Sequence, residues 1–149
     1  MIQEIIKKWD ANKNKLEEKF KSQKLHSGLS YRTIVEYIFE TIINDSEDEY
    51  DNYDVSKMTV IDDGYYQGTQ IFIVPKNLYQ PSIEDYLITH NYYGSCSGCD
   101  TLEAILSDYS YDEDVDYDDQ TINKNQISQL MDLSLHLIQK MKFLNGESE

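Results

Sequence analysis

The chain carries few residues that could grip a phosphate. Of its 149 residues only 13 are Lys or Arg against 28 Asp or Glu, a formal charge of −15. A field of that sign repels nucleic acid and anionic membrane and draws basic partners from a distance, so neither direct nucleic-acid binding nor a membrane role is expected. No apolar run approaches the roughly 18 to 20 residues that span a bilayer. Residues 1–8 have helical periodicity rather than the apolar core of an export signal, which predicts a cytoplasmic protein. There are two cysteines. In that compartment they are expected as thiols or metal ligands rather than as a structural disulfide. Phosphate-binding loops, dinucleotide glycine fingerprints and the His-Glu-x-x-His zinc motif are all missing. Asp112-Glu113-Asp114 lacks the central Gly and the terminal Glu of a calcium loop.

What remains is a chain long enough to bury a core without staples, rich in tyrosine (13 residues) and uneven in charge. Residues 1–26 hold seven Lys against four acids, so the other residues carry −18. Helical spacing predicts a first helix over 2–22, from Ile2, Ile5, Ile6, Trp9, Leu16 and Phe20, with a possible break at Asn12-Lys13-Asn14. Ser30 is placed to cap a second helix over 31–44, and the two pair as a hairpin over residues 1–44. The period then changes to that of strands. Met58–Ile61, a turn at Asp62-Asp63-Gly64, a return strand over 65–74 and a third strand over 86–93 predict an antiparallel meander within 58–93. Gly68 marks a bulge or a close approach of backbone. Asp100-Thr101-Leu102-Glu103 has capping-box spacing and starts a short helix over 100–107. An acidic loop follows over 108–121, then a C-terminal helix over 125–144 ended by Asn145-Gly146. The expected fold is α+β: one domain over 1–149, with a three-stranded antiparallel sheet packed by the N-terminal helices and the long C-terminal helix.

Between the third strand and the short helix lies Gly94-Ser95-Cys96-Ser97-Gly98-Cys99-Asp100. Its Cys-x-x-Cys fits three readings: a redox pair, half of a zinc site completed by His90 and His136, or two small residues in a tight turn. The predicted helix start follows both cysteines, and the surrounding acids disfavour thiolate, which weakens the redox reading. The spacing to His90 and His136 matches no standard zinc module. Gly94-Ser95-Cys96-Ser97-Gly98 also has the form of a nucleophile elbow, but the strands are antiparallel and His136 sits on a helix, so catalysis through Cys96 is not expected. The loop is therefore read chiefly as a tight junction, with His90, Cys96, Cys99 and His136 as candidates for a pocket or metal site. No cofactor is required.

Two acidic runs carry the functional expectation. The first holds Asp45, Glu47, Asp48, Glu49, Asp51 and Asp54. The second holds Asp108, Asp112, Glu113, Asp114, Asp116, Asp118 and Asp119, interleaved with Tyr109, Tyr111 and Tyr117. Such runs usually form solvated loops. Carboxylates can also occupy the basic rows that nucleic-acid-binding proteins use for phosphates, with tyrosines in the stacking sites used for bases.

Four segments together resemble a family of small uncharacterised proteins of bacteriophages and prophages of low-GC bacteria. They are Asp62-Asp63-Gly64-Tyr65-Tyr66-Gln67-Gly68-Thr69, Gln80-Pro81 with Asp85-Tyr86-Leu87, Tyr93-Gly94-Ser95-Cys96-Ser97-Gly98-Cys99-Asp100-Thr101-Leu102, and Leu135-His136-Leu137-Ile138-Gln139-Lys140-Met141-Lys142. The resemblance spans residues 58–144 and implies a phage setting without implying an activity. With the charge, it leads to the expectation of a small, non-enzymatic inhibitor that covers a basic, nucleic-acid-binding surface of a host protein. The alternative is a small-ligand or zinc/thiol protein centred on Gly94–Asp100.

Overall fold

The computed structural model describes residues 2–96, 98–108 and 111–145. Ser97, Tyr109 and Gly146, which figure in the sequence reading, lie outside the described residues.

Helix α1 (Ile2–Lys21) runs without a break through Asn12-Lys13-Asn14. Asn12 interrupts the apolar stripe because it is itself buried, its amide donating to Asp45 Oδ2 at 3.3 Å. Helix α2 (Tyr31–Ile38) starts at Ser30, whose hydroxyl accepts the Thr33 N–H at 3.2 Å. The predicted second helix does not continue as α-helix to residue 44. It widens into a π-turn over Phe39–Ile43, closed by Asn44 N–H donating to Phe39 O at 2.8 Å. Four of its five residues, Phe39, Thr41, Ile42 and Ile43, are buried. α1 and α2 lie antiparallel: Lys8 Nζ reaches Ile43 O, while Gln23 Oε1 accepts the Tyr37 hydroxyl.

The sheet is antiparallel in the order β1-β2-β3-β4, with β1 Thr59–Asp62, β2 Gly68–Pro75, β3 Tyr86–Tyr93 and β4 Lys142–Phe143. Four strands replace the three expected. The extra one comes from the end of the predicted C-terminal helix: helix α4 (Lys124–Gln139) stops early, and the chain reverses at Lys140. The reversal lays Phe143 beside Leu87 and lets Leu144 N–H donate to Tyr86 O at 3.0 Å. Met141 stays buried, whereas Leu144, expected in the helix's apolar stripe, is exposed. The hairpin between β1 and β2 is longer than the Asp-Asp-Gly turn predicted, and the second strand begins at Gly68 rather than at Tyr65. Asp62 and Asp63 organise it, accepting the N–H groups of Gly64 and Thr69. A side chain at Gly68 would place its Cβ 2.6 Å from Asp63 Oδ1 and 2.7 Å from Gly64 Cα, so close approach explains this glycine.

One face of the sheet carries Val60, Phe72, Val74, Leu87 and Thr89 toward the helices. Thr89 Oγ1 donates to Leu137 O of α4 at 2.7 Å, tying sheet to helix inside the core. Helix α3 (Thr101–Ser107) packs Leu102 and Ile105 into the same cluster as Phe20, Ile34, Phe39, Leu130 and Leu137. Among the described residues no helix is long and apolar enough to cross a membrane.

Two tyrosines lend this core an alkaline limit. Tyr53 lies edge-on to Phe39 at 5.5 Å. Its hydroxyl is pushed up to about 12, first by burial and then by the nearby Asp85 carboxylate. Burial is likewise the main force raising the Tyr31 hydroxyl. An unfolded tyrosine ionises near pH ~10, so both groups favour the folded, protonated form below that value and lose their contribution as pH rises toward the folded values. Urea unfolding stability should hold level up to about pH 10 and fall between about pH 10 and 12. Tyr53→Phe should flatten part of that fall; an unchanged slope would show that Tyr53 does not carry it.

Candidate binding surfaces

The first acidic run is not a loose loop. Asn44 clamps its base by exchanging two bonds with the Tyr53 backbone, each at 2.8 Å. Inside that clamp Asn52 does the same to Ser46, at 3.1 and 3.2 Å. Asp48 and Asp54 cap short 3₁₀ turns over Glu49–Asp51 and Val55–Lys57. Asp45 is held by Lys8 at 3.1 Å and by Asn12. Three of the six acids thus serve the loop's own structure, and Glu47, Glu49 and Asp51 are left projecting outward beside the exposed Tyr50.

The second run is held by a buried amide. Gln120 donates to Asp112 O at 2.9 Å and to Val115 O at 2.7 Å, and accepts the Asp112 N–H at 3.2 Å. Its own carbonyl accepts the Leu25 N–H at 2.8 Å, and Lys24 bridges to Thr121 beside it. Tyr117 stacks on His26 with ring centroids 3.8 Å apart, and Asp119 faces Lys24 at 3.9 Å. Asp108 accepts from Asn125 and Asn123 at the start of α4. Tyr111, Glu113, Asp114, Asp116 and Asp118 are exposed.

The two runs do not merge into one patch. The first docks near Lys8 and Asn12 of α1, the second beyond its other end at Lys24 to His26. At 1.5 Å per residue that separates them by roughly 20 Å.

The loop from Gly94 to Asp100 is organised by Asp100. This carboxylate is 6% exposed. It accepts the Tyr31 hydroxyl at 2.9 Å, Gly94 N–H at 2.8 Å and Glu103 N–H at 3.0 Å. The Tyr31 oxygen in turn accepts Leu102 N–H at 3.0 Å. The expected cap at Asp100 is therefore present and also reaches back across the loop to α2. Cys96 and Cys99, expected as thiols or ligands, are paired as a disulfide across the turn, with their Cα atoms 5.3 Å apart. A Cβ at Gly94 would sit 2.5 Å from Cys99 O, so the turn closes only with glycine there.

The four residues read as a pocket or metal site do not converge. Alternation along β3 sends Thr89 and Asn91 toward the helices and His90 to the opposite face. There burial, helped by Lys140 and Lys142, pushes the His90 imidazole below its ordinary value. His136 lies on α4, on the far side of the sheet from His90, and lines an open groove of about 500 Å³ with Asn91, Thr101, Ala104, Leu133 and Lys140. Among the described residues no group of three or more His, Cys, Asp or Glu could hold a metal ion.

Of the residues that fix these surfaces, Asn44, Asn52, Asp100 and Gln120, only Asp100 carried a structural signal in the sequence, as a helix cap. The class this arrangement defines is an α+β protein with a four-stranded antiparallel sheet covered by helices on one face, bearing two structured acidic loops. Compared with known proteins, the chain matches no family model, no curated protein and no solved structure.

Proposed function

We propose that this is a small, non-enzymatic binding protein of the host cytoplasm, phage-encoded, that covers a basic, nucleic-acid-binding surface of a host protein. The phage setting rests on the Tyr93–Leu102 string and its companion segments. The observation that supports the binding role is the clamping of both acidic runs. Outward carboxylates at Glu47, Glu49, Asp51, Glu113, Asp114, Asp116 and Asp118 stand on loops whose backbones are already tied by Asn44, Asn52 and Gln120. Little ordering cost is left for binding, which a solvating tail would have to meet. Exposed Tyr50 and Tyr111, and the face of Tyr117 turned away from His26, supply flat rings where bases would stack.

The test neutralises only those outward acids to Gln or Asn and keeps the structural Asp45, Asp48 and Asp54, and Asp112, whose carboxylate accepts the Asp114 N–H at 3.0 Å. At a few tenths of a kcal/mol each, seven exposed charges are worth about 2 kcal/mol, or roughly a 30-fold loss of affinity. The measurement is competition with DNA, by gel shift, for basic host proteins retained on the immobilised chain. Wild-type competition should weaken as salt rises. A neutralised chain that competes undiminished at physiological salt would sink the reading.

A further inference from the structure

The disulfide between Cys96 and Cys99 is set apart from the core. Both residues are exposed, three positions apart in the turn that joins β3 to α3. Exposed disulfides are within reach of thiols in solution and are reduced more readily than buried structural ones. The turn does not rest on the sulfur–sulfur bond. Cys96 O accepts the N–H groups of Cys99 at 3.0 Å and Asp100 at 2.9 Å, and Asp100 takes Gly94 N–H across the same loop. With the bond cut, a Cys99 thiol has Cys96 O at 3.2 Å as an acceptor. One backbone therefore suits both oxidation states.

The two sulfurs are not equivalent. Cys99 Sγ accepts the Cys96 N–H at 2.9 Å, whereas among the described residues no N–H or O–H reaches Cys96 Sγ. Cys99 Sγ is also backed by the start of the loop, where a Cβ on Gly94 would lie 2.9 Å from it. A donor on sulfur favours its thiolate, and a disulfide breaks faster toward the better leaving thiolate. The chain's net negative charge opposes ionisation of both thiols; the N–H acts on Cys99 alone. Asp100, the acid next in sequence, points its carboxylate at the Tyr31 hydroxyl and the N–H groups of Gly94 and Glu103.

We propose that Cys96–Cys99 is a reversible redox couple that exchanges with low-molecular-weight thiols, Cys96 being the sulfur attacked and Cys99 the thiolate released. In the first step an external thiolate bonds to Cys96 Sγ as the Cys96–Cys99 bond breaks. The electron pair leaves on Cys99 Sγ, where the Cys96 N–H is already in place. A second external thiolate then attacks the outer sulfur of the mixed disulfide and releases Cys96. Two external thiols are thereby oxidised to one disulfide, and their two protons pass to Cys96 and Cys99. The oxidised external thiol runs the same steps backward. The couple goes beyond the proposed binding role and does not rest on it.

Glutathione is the probe. The full oxidised chain is equilibrated with reduced and oxidised glutathione over a wide range of ratios, quenched with acid, alkylated and weighed by mass spectrometry. The expected result is a two-electron transition between disulfide and dithiol, with far-ultraviolet circular dichroism unchanged. Brief exposure to reduced glutathione, followed by peptic mapping, should place the transient adduct on Cys96. Single variants read the asymmetry of the two thiols. Alkylation of Cys99 in Cys96→Ser should have a pH midpoint about 0.5 to 1 unit below that of Cys96 in Cys99→Ser, the worth of one hydrogen bond. Three results would overturn the proposal: a pair locked in either state across the whole range, an adduct on Cys99, and equal midpoints.

Discussion

Asp100→Ala should be the most damaging single polar substitution in the chain, lowering unfolding free energy by about 2 to 4 kcal/mol. The figure joins the loss of a helix cap, about 1 kcal/mol, to the stranding of a buried tyrosine hydroxyl and a backbone N–H that had a charged acceptor, about 1 to 3 kcal/mol. The three donors belong to α2, to the end of β3 and to the first turn of α3, so one carboxylate joins three elements distant in sequence. Urea unfolding monitored by far-ultraviolet circular dichroism measures the loss. Asp100→Asn keeps an acceptor and should recover about half of it. Tyr31→Phe should cost less than Asp100→Ala, because it strands only Leu102 N–H and one carboxylate lone pair. If Asp100→Ala falls within about 1 kcal/mol of wild type, the carboxylate is only a cap.

Gln126→Ala follows, at an expected 2 to 3 kcal/mol. This side chain has no exposed surface. Its amide donates to Ile105 O at 3.0 Å and to Leu106 O at 3.4 Å, two terminal carbonyls of α3, while its oxygen accepts Asn123 N–H at 3.0 Å. A single glutamine thus satisfies the open end of one helix and the open start of the next. Gln126→Met, which keeps the volume and removes the polar atoms, separates packing from hydrogen bonding. It should remain at least about 1 kcal/mol below wild type in the same unfolding experiment, because Asn123 N–H and Leu106 O are stranded in a dry site, while Ile105 O keeps the Asp108 N–H at 3.3 Å.

Both substitutions fall where sequence reading had little to work with, and the reason is physical. Apolar periodicity reports which face of an element is buried, so α1 and β3 were legible nearly to the residue, and α2 at its start. It cannot distinguish an amide that faces water from one buried against backbone. The burial of Gln120, Gln126 and Asn12 therefore leaves no signal in the sequence, and Asn12 even suggested a break in a helix that is continuous. β4 was hidden for a different reason. Met141 and Leu144 keep helical spacing with Leu137, yet the chain has already turned at Lys140 to follow β3. The π-turn at Phe39–Ile43 was hidden as well, since widening one helical turn leaves no mark on composition. For the binding surfaces, sequence located the acids but not their division of labour. Asp45, Asp48 and Asp54 hold their own loop together, while their neighbours face outward. His90 and His136 looked equally available for a shared site until the pleat of β3 turned His90 to the opposite face.

Helix α1 acts as the jaw spacing of a caliper. The first acidic loop is fastened to Lys8 and Asn12 along the unbroken α1 and the second just past its C-terminal end, at Lys24 to His26, so the distance between them is set mainly by helical rise. In the proposed binding role, a partner engaged at one loop would meet the second as an intramolecular event, with an effective concentration that depends on whether its own basic patches lie roughly 20 Å apart. Partners with the right spacing gain avidity from both contacts. Those with equal charge but different spacing gain from one only. Selectivity among basic proteins would then be a matter of length, written in the number of turns between Lys8 and Lys24.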